Sequence, residues 1–140
     1  MTQTFLTRRR VEFFETDLAG IVHFANYYRY MEMAEHEFFR SLGLQIHGTL
    51  PDGTIYGWPR VSASCSFLSP ARYDEEIEVR LTVLRRTARS LTTGYEIRRG
   101  DTLLATGEMK TAYCLIPAEG QLESAEMPPE CAERLGEGKP

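Results

Sequence analysis

The longest periodic run of apolar residues, at positions 24–42, predicts one long helix. Its apolar residues follow one another at spacings of four, three, four and four, which places them in one stripe on a helix surface: Tyr27, Met31, Ala34, Phe38 and Leu42. Tyr28 and Phe39 widen the stripe, and Gly43 is a typical residue for ending a helix. A face this wide indicates a helix that other structure covers.

Alternation of apolar and polar residues predicts strands before and after this helix in the chain. Residues 6–15 are rich in strand formers and precede a turn-like segment at 16–20. Four further strand-like segments follow the helix: 61–68, 76–85, 91–98 and 103–116. Short connections between successive strands are typical of an antiparallel sheet. The pattern therefore predicts an α+β domain in which a curved antiparallel sheet of about five strands wraps around the helix.

The rest of the chain predicts little regular structure. Residues 45–59 carry several glycines and prolines and an Asp52-Gly53 turn, so this stretch is expected to be a linker. Pro128-Pro129 precedes a short helix that ends at Leu135, and residues 136–140 are expected to be a frayed tail. A length of 140 residues predicts one domain spanning positions 1–140.

Composition and motif content disfavour several classes of function. A formal net charge of −4 disfavours a nucleic-acid partner, and no apolar run approaches the roughly 18–20 residues of a membrane span. No secretory signal is expected, and three cysteines without a CxxC pair indicate free thiols and a cytoplasmic location. No metal-ligand spacing, nucleotide-binding glycine motif or nucleophile elbow is present in the sequence.

The remaining candidate chemistry lies at Asp17, just before the predicted start of the helix. The first turn of a helix offers unpaired N–H groups that can stabilise an oxyanion, and a nearby carboxylate can act as general base or nucleophile. Gly20 would allow close approach of the backbone to a ligand. Asp17 as a turn or capping residue is the alternative, and the pattern alone favours it, because Asp and Gly are common at helix entries.

The order of residue types in the segment 11–27 indicates more about function than its apolar and polar pattern does. Residues 11–27, VEFFETDLAGIVHFANY, closely resemble the signature of the 4-hydroxybenzoyl-CoA thioesterase family, in which T-D-x-x-G-x-V precedes a tyrosine and a carboxylate in the helix, here Tyr27 and Glu32. Residues 67–77 and 100–107 are similar to the family's strand–Pro–Asp connection and last hairpin. The resemblance implies a hotdog fold and hydrolysis of acyl-CoA or aryl-CoA thioesters.

The resemblance also implies roles for individual residues. Asp17 would be the catalytic nucleophile or general base, and the backbone N–H groups of Phe24 and His23 would polarise the thioester carbonyl. The pair His23-Phe24 departs from the family, because its short-chain branch has Tyr-His there and its aryl-CoA branch Trp-Tyr. A structural role and a substrate contact both remain open for the His23 side chain. Four residues are candidates for lining the substrate pocket, with core or helix packing as their alternative role: Tyr27, Met31, Ser64 and Ser66.

The implied partners are an acyl-CoA substrate and further copies of the chain. No cofactor is expected beyond the coenzyme A of the substrate, and a homodimer or homotetramer would carry its active sites at subunit interfaces. Two alternatives stay open. An acyl-carrier-protein thioesterase could dock its carrier on a basic patch near Arg85, Arg86 and Arg89, and a non-catalytic acyl-binding or assembly module would share the fold without the reaction.

Overall fold

The computed structural model describes residues 4–138, which form two helices and two antiparallel sheets. The helices are α1 (Ala25–Ser41) and α2 (Pro129–Leu135). The strands of the larger sheet are β1 (Thr4–Arg10), β4 (Arg60–Phe67), β5 (Glu76–Arg86), β6 (Ser90–Arg99) and β7 (Thr102–Ala112). The strands of the smaller sheet are β2 (His47–Thr49), β3 (Ile55–Gly57), β8 (Cys114–Ile116) and β9 (Glu123–Ser124).

The larger sheet wraps around α1 and confirms the predicted architecture. Its strand order is β1-β5-β6-β7-β4, with every neighbouring pair antiparallel. The predicted helix stripe is buried except for Leu42, which is half-buried. Alternate residues of β5 are buried in the same apolar core: Ile77, Val79, Leu81 and Val83. Because a helix fills one face of the sheet, that face is apolar while the other carries charged and polar side chains.

The first strand is shorter than predicted. β1 ends at Arg10, and Phe13–Glu15 form a 3₁₀ helix instead of continuing the strand. The cause is local hydrogen bonding: the Glu12 N–H donates to the Glu15 carboxylate at 2.7 Å, and the Glu15 N–H donates to the Glu12 carbonyl at 3.0 Å. These two bonds turn the chain away from the sheet and toward the start of α1.

The predicted linker at 45–59 contains β2 and β3, so that prediction is wrong. Strands of three residues are too short to show an alternating pattern, and β3 is held by pairing with β8. The predicted strand 103–116 is interrupted at Tyr113, whose N–H donates to the Arg89 carbonyl at 2.8 Å. That bond lets β8 leave the larger sheet and join the smaller one.

The C-terminal helix is where the sequence predicts it, but the segment after it is not frayed as far as Gly138. Arg86 Nε donates to the Gly136 carbonyl at 2.5 Å, and Gly138 is buried against the end of β5. The last part of the predicted tail, residues 139–140, lies outside the described residues. Neither α1 nor α2 combines the length and apolar character that crossing a lipid bilayer requires, and they are the only α-helices between Thr4 and Gly138.

Candidate active site

Asp17 lies in a tight loop at residues 16–22 between the 3₁₀ helix and α1. Thr16 and Val22 pair as an isolated β-bridge, and the Asp17 N–H donates to the Ile21 carbonyl at 3.0 Å. The Gly20 N–H returns to the Asp17 carbonyl at 2.9 Å, with Gly20 at φ +77°. That left-handed angle favours glycine, so Gly20 serves the turn itself. The loop therefore holds Asp17 at a defined position before the helix.

The two oxygens of the Asp17 carboxylate have different surroundings. Oδ1 accepts the Ala19 N–H at 2.9 Å, which fixes the side chain by an Asx turn. Oδ2 has no hydrogen-bond partner among residues 4–138, and the residue is exposed. A carboxylate with one anchored oxygen and one open oxygen can act as a base or as a nucleophile without first breaking its own turn.

The two expected oxyanion donors differ in the structure. The His23 N–H donates to the Glu15 carbonyl at 2.9 Å, so His23 is already engaged and does not fit the predicted role. The Phe24 N–H finds no acceptor within the described part of the chain. His23 Nδ1 accepts the Ala25 N–H at 3.3 Å, which gives this side chain a contact at the first turn of α1. One N–H at the positive end of the helix is thus left for a ligand.

Asp17 and Phe24 line the same cavity, which has a volume of about 400 Å³. The full lining consists of Asp17, Ile21, Val22, Phe24, Tyr27, Phe67, Leu68, Ser69 and Pro70. The Phe67 ring lies edge-on to two others, with centroids 5.2 Å from Tyr27 and 6.4 Å from Phe24. The cavity therefore combines one carboxylate and one free N–H with predominantly apolar, aromatic walls.

Of the four predicted pocket residues, only Tyr27 lines this cavity. Its hydroxyl accepts the Ala71 N–H at 3.3 Å, and burial raises the Tyr27 pKa, so the phenol is neutral at physiological pH. Met31 is fully buried in the core under β7. Ser64 and Ser66 pair with Glu108 and Thr106 on the sheet face away from α1, so they cannot reach the cavity from this side.

The sequence did not single out the cavity residues at the end of β4. Phe67 and Leu68 precede Ser69-Pro70, a combination that predicts the end of a strand but not what the end contacts. The sheet brings this segment to the loop before α1, where the Val22 N–H donates to the Ala71 carbonyl at 2.8 Å. Glu32, which matches the family signature, pairs with Arg60 at 3.0 Å and does not line the cavity.

Solved structures share this architecture and identify it as a hotdog fold. The crystal structure of a 1,4-dihydroxy-2-naphthoyl-CoA thioesterase from Synechocystis superimposes with a TM-score of 0.84 at 25% sequence identity. The match covers 95% of this chain and 96% of that one. The fold and the match to a family model together define a hotdog-fold thioesterase as the class of protein.

The chain belongs to the thioesterase superfamily, which matches residues 19–106. A protein of Aquifex aeolicus, provisionally named an esterase, is 35% identical over 112 residues, 80% of this chain and 84% of the relative. The 4-hydroxybenzoyl-CoA thioesterase of Pseudomonas sp. (strain CBS-3) is 30% identical over 100 residues, 71% of each chain. The family expected from residues 11–27 is therefore confirmed.

Proposed function

We propose that this protein hydrolyses acyl-CoA thioesters to a free acid and coenzyme A, with Asp17 and the Phe24 N–H as the reacting groups. The observation that carries the proposal is their shared cavity: an open carboxylate oxygen and an unengaged N–H at a helix N-terminus line one apolar space. Hydrolysis of a thioester can use both the carboxylate and the N–H, because the carbonyl carbon is attacked while the carbonyl oxygen gains negative charge.

The proposed reaction follows from these two groups. The thioester oxygen accepts the Phe24 N–H, and either an Asp17 oxygen or a water deprotonated by Asp17 attacks the carbonyl carbon. Collapse of the tetrahedral oxyanion breaks the C–S bond, and coenzyme A leaves as a thiolate that takes up a proton. In the nucleophilic route, water then hydrolyses the mixed anhydride on Asp17 and restores the carboxylate. Neither route needs a metal or a further cofactor.

We infer further that the acyl group is aromatic. The cavity presents the rings of Phe24, Tyr27 and Phe67 in edge-on arrangements, which suit the insertion of another ring. Its volume of about 400 Å³ lies within the range that small-molecule sites occupy. The Pseudomonas and Synechocystis relatives carry names of aromatic-acid CoA thioesterases, which supports the same class.

The oligomer and the compartment are parts of the same proposal. The second edge of β4 has no strand beside it among residues 4–138, and exposed apolar side chains lie around the loop and the cavity: Phe13, Phe14, Leu18, Leu68 and Tyr73. An open edge with apolar surroundings favours pairing with a second copy and a site at the interface. Cys65, Cys114 and Cys131 are free thiols, which supports a cytoplasmic location.

An acyl-carrier protein is the less supported carrier. Arg86 bonds the Gly136 carbonyl and Arg89 bonds the Ser124 carbonyl, so both side chains already hold the C-terminal segment. The cluster also lies at the far end of β5, about 30 Å along the strand from the cavity end. A phosphopantetheine arm from a carrier docked there would need to cross most of the sheet.

The test is thiol release from a panel of short-chain, long-chain and aromatic acyl-CoA thioesters by wild type, Asp17→Asn and Asp52→Asn. Asp52 is a matched control because its Oδ1 accepts the Thr54 N–H at 2.9 Å in the same kind of turn, outside the cavity. We expect aromatic thioesters to give the highest kcat/KM. Asp17→Asn should lower kcat by about a hundredfold or more, while Asp52→Asn leaves it unchanged.

Two results would contradict the proposal. Near-wild-type turnover by Asp17→Asn would remove Asp17 from the mechanism, and absence of turnover on the whole panel would favour the non-catalytic binding module. Equal kcat/KM on one acyl group carried by coenzyme A and by an acyl-carrier protein would contradict the preference for coenzyme A.

A further inference from the structure

We propose that Asn26 is a positioning residue that sets the distance between the Asp17 carboxylate and the Phe24 N–H. This inference rests on the proposed function, because it concerns how the two reacting groups are held. Asn26 lies in the first turn of α1 and is 7% exposed. It does not line the cavity, so it acts on the site through another residue.

That other residue is Glu15, whose carbonyl oxygen accepts two hydrogen bonds. The His23 N–H donates to it at 2.9 Å, and Asn26 Nδ2 donates to it at 2.8 Å. Glu15 lies two residues before Asp17, and His23 directly precedes Phe24. The Glu15 carbonyl therefore lies between the two reacting groups. The backbone connects it to Asp17 through Thr16, and its hydrogen bond to the His23 N–H connects it to Phe24.

The Glu15 side chain adds a second attachment to α1. Its Oε1 accepts the Tyr30 hydroxyl at 2.9 Å, and Glu15 itself is only 6% exposed. Asn26 and Tyr30 are four residues apart and share one helix face. The helix thus holds Glu15 at its backbone through Asn26 and at its carboxylate through Tyr30, so the loop and the helix move as one unit.

Small changes in the distance between reacting groups have a large effect on the rate of turnover. Displacement of a reacting group by about 1 Å can lower turnover about a hundredfold. Residues 17–20 of the loop that carries Asp17 are exposed, and the hydrogen bonds from Asp17 to Ile21 and from Gly20 to Asp17 fix the internal shape of the loop rather than its distance from α1. The Asn26–Glu15 bond is the side-chain contact that ties α1 to the backbone leading into this loop.

The test uses Asn26→Asp, which keeps the shape of the side chain and replaces the donating NH₂ by an oxygen that repels the Glu15 carbonyl. An aspartate in the first helical turn is otherwise favourable for the helix. Arg29→Ala is the matched control, because Arg29 Nη1 donates to Asn26 Oδ1 at 2.7 Å and its loss leaves the Glu15 bond in place. The measurements are kcat and KM on the best thioester of the panel, and the Kd of a non-hydrolysable thioether analogue.

We expect Asn26→Asp to lower kcat about ten- to hundredfold while KM and the analogue Kd change less than about threefold. Arg29→Ala should keep both constants close to wild type. A lower Tm for Asn26→Asp with unchanged kcat would overturn the proposal, since Asn26 would then be purely structural. An equal loss of kcat in Arg29→Ala would also overturn it.

A second variant covers the case in which Asn26→Asp does not fold. Tyr30→Phe removes only the hydroxyl that binds the Glu15 carboxylate, and it should lower kcat in the same direction with KM unchanged. Wild-type kcat in Tyr30→Phe would then contradict the positioning of the loop by this helix face. Failure of the proposed function is distinguishable, because wild type would then turn over no thioester of the panel or Asp17→Asn would retain turnover, whatever the Asn26 variant does.

Discussion

In the proposed mechanism Asp17 acts through its side chain and Phe24 through its backbone N–H, and both line the same cavity. The residue pattern marked Asp17 as a candidate but favoured a turn or capping role, and the family resemblance implied both the catalytic role of Asp17 and the use of the Phe24 N–H. It also predicted the His23 N–H, which the structure shows bound to Glu15. Which of two adjacent N–H groups is free depends on where another segment places its carbonyl, and residue types do not determine that.

The role of the Phe24 N–H can be tested by removing it. Phe24 has φ −54° and the preceding residue is not helical, so proline fits the backbone here. Phe24→Pro removes the N–H and the ring, while Phe24→Ala removes the ring alone. We expect kcat of Phe24→Pro to be about 10²–10³ lower than that of Phe24→Ala, the range for loss of one oxyanion donor. Steady-state kinetics of the two variants on the same thioester measure the difference.

Equal kcat in the two Phe24 variants would contradict the role of this N–H. Circular dichroism spectra of both variants provide the control, because a helix that starts normally keeps the wild-type signal.

At the scale of elements, α1 is the part that the sequence predicted best. Its apolar period is long and regular, and the observed bounds Ala25–Ser41 differ from the predicted 24–42 by one residue at each end. β2 and β3 could not be predicted, because strands of three residues are too short for an alternating pattern and because β3 depends on pairing with β8, which is distant in sequence. The same dependence on tertiary pairing explains why β8 separates from β7.

Two charged contacts join α1 to Arg60 of the edge strand β4. Glu35 on α1 is buried and its carboxylate accepts Arg60 Nη1 at 2.9 Å, while Glu32 accepts Arg60 Nη2 at 3.0 Å. Burial raises the pKa of Glu35, and this effect outweighs the Arg60 guanidinium, which acts to lower the pKa. The folded protein therefore binds a proton at this carboxyl at a pH where the unfolded chain has released it.

The sign of the pH dependence follows from that raised pKa. The Glu35 contribution to stability is greatest below the ordinary glutamate pKa of 4.5 and declines as pH rises through the folded pKa. Glutamine does not titrate, so the Tm of Glu35→Gln minus the Tm of wild type should increase with pH. Thermal unfolding from about pH 4.5 to about pH 7.5 measures it.

Glu123→Gln on exposed β9 is the control for Glu35→Gln and should leave the pH dependence as in wild type. A Tm difference that increases as pH falls would show that Glu35 has a lowered pKa and would contradict this account.

At the scale of the whole molecule, β1 and β4 are the two edges of the larger sheet and only β4 adjoins the cavity. The proposed oligomer predicts that the edges respond differently to a charge. Val61 on β4 and Leu6 on β1 are similarly exposed, at 57% and 51%. We expect wild type and Leu6→Glu to have two or four times the 16.0 kDa of one chain, and Val61→Glu to shift toward one chain.

Light scattering coupled to size-exclusion chromatography measures these masses, and activity at the same concentrations shows whether the site needs the partner. A monomeric wild type, or dissociation caused by Leu6→Glu alone, would contradict pairing through β4.

The sequence by itself determined the long helix, the antiparallel strands around it, the family and the candidate carboxylate Asp17. These features depend on local periodicity and on a contiguous motif, which neighbouring residues encode directly. The tertiary structure decided that Phe67–Pro70 would line the cavity, that Ser64 and Ser66 would face away from it, and that Glu15 would engage the His23 N–H. Each of these outcomes requires segments far apart in the chain to meet, and that depends on sheet register and helix packing, which residue types alone do not specify.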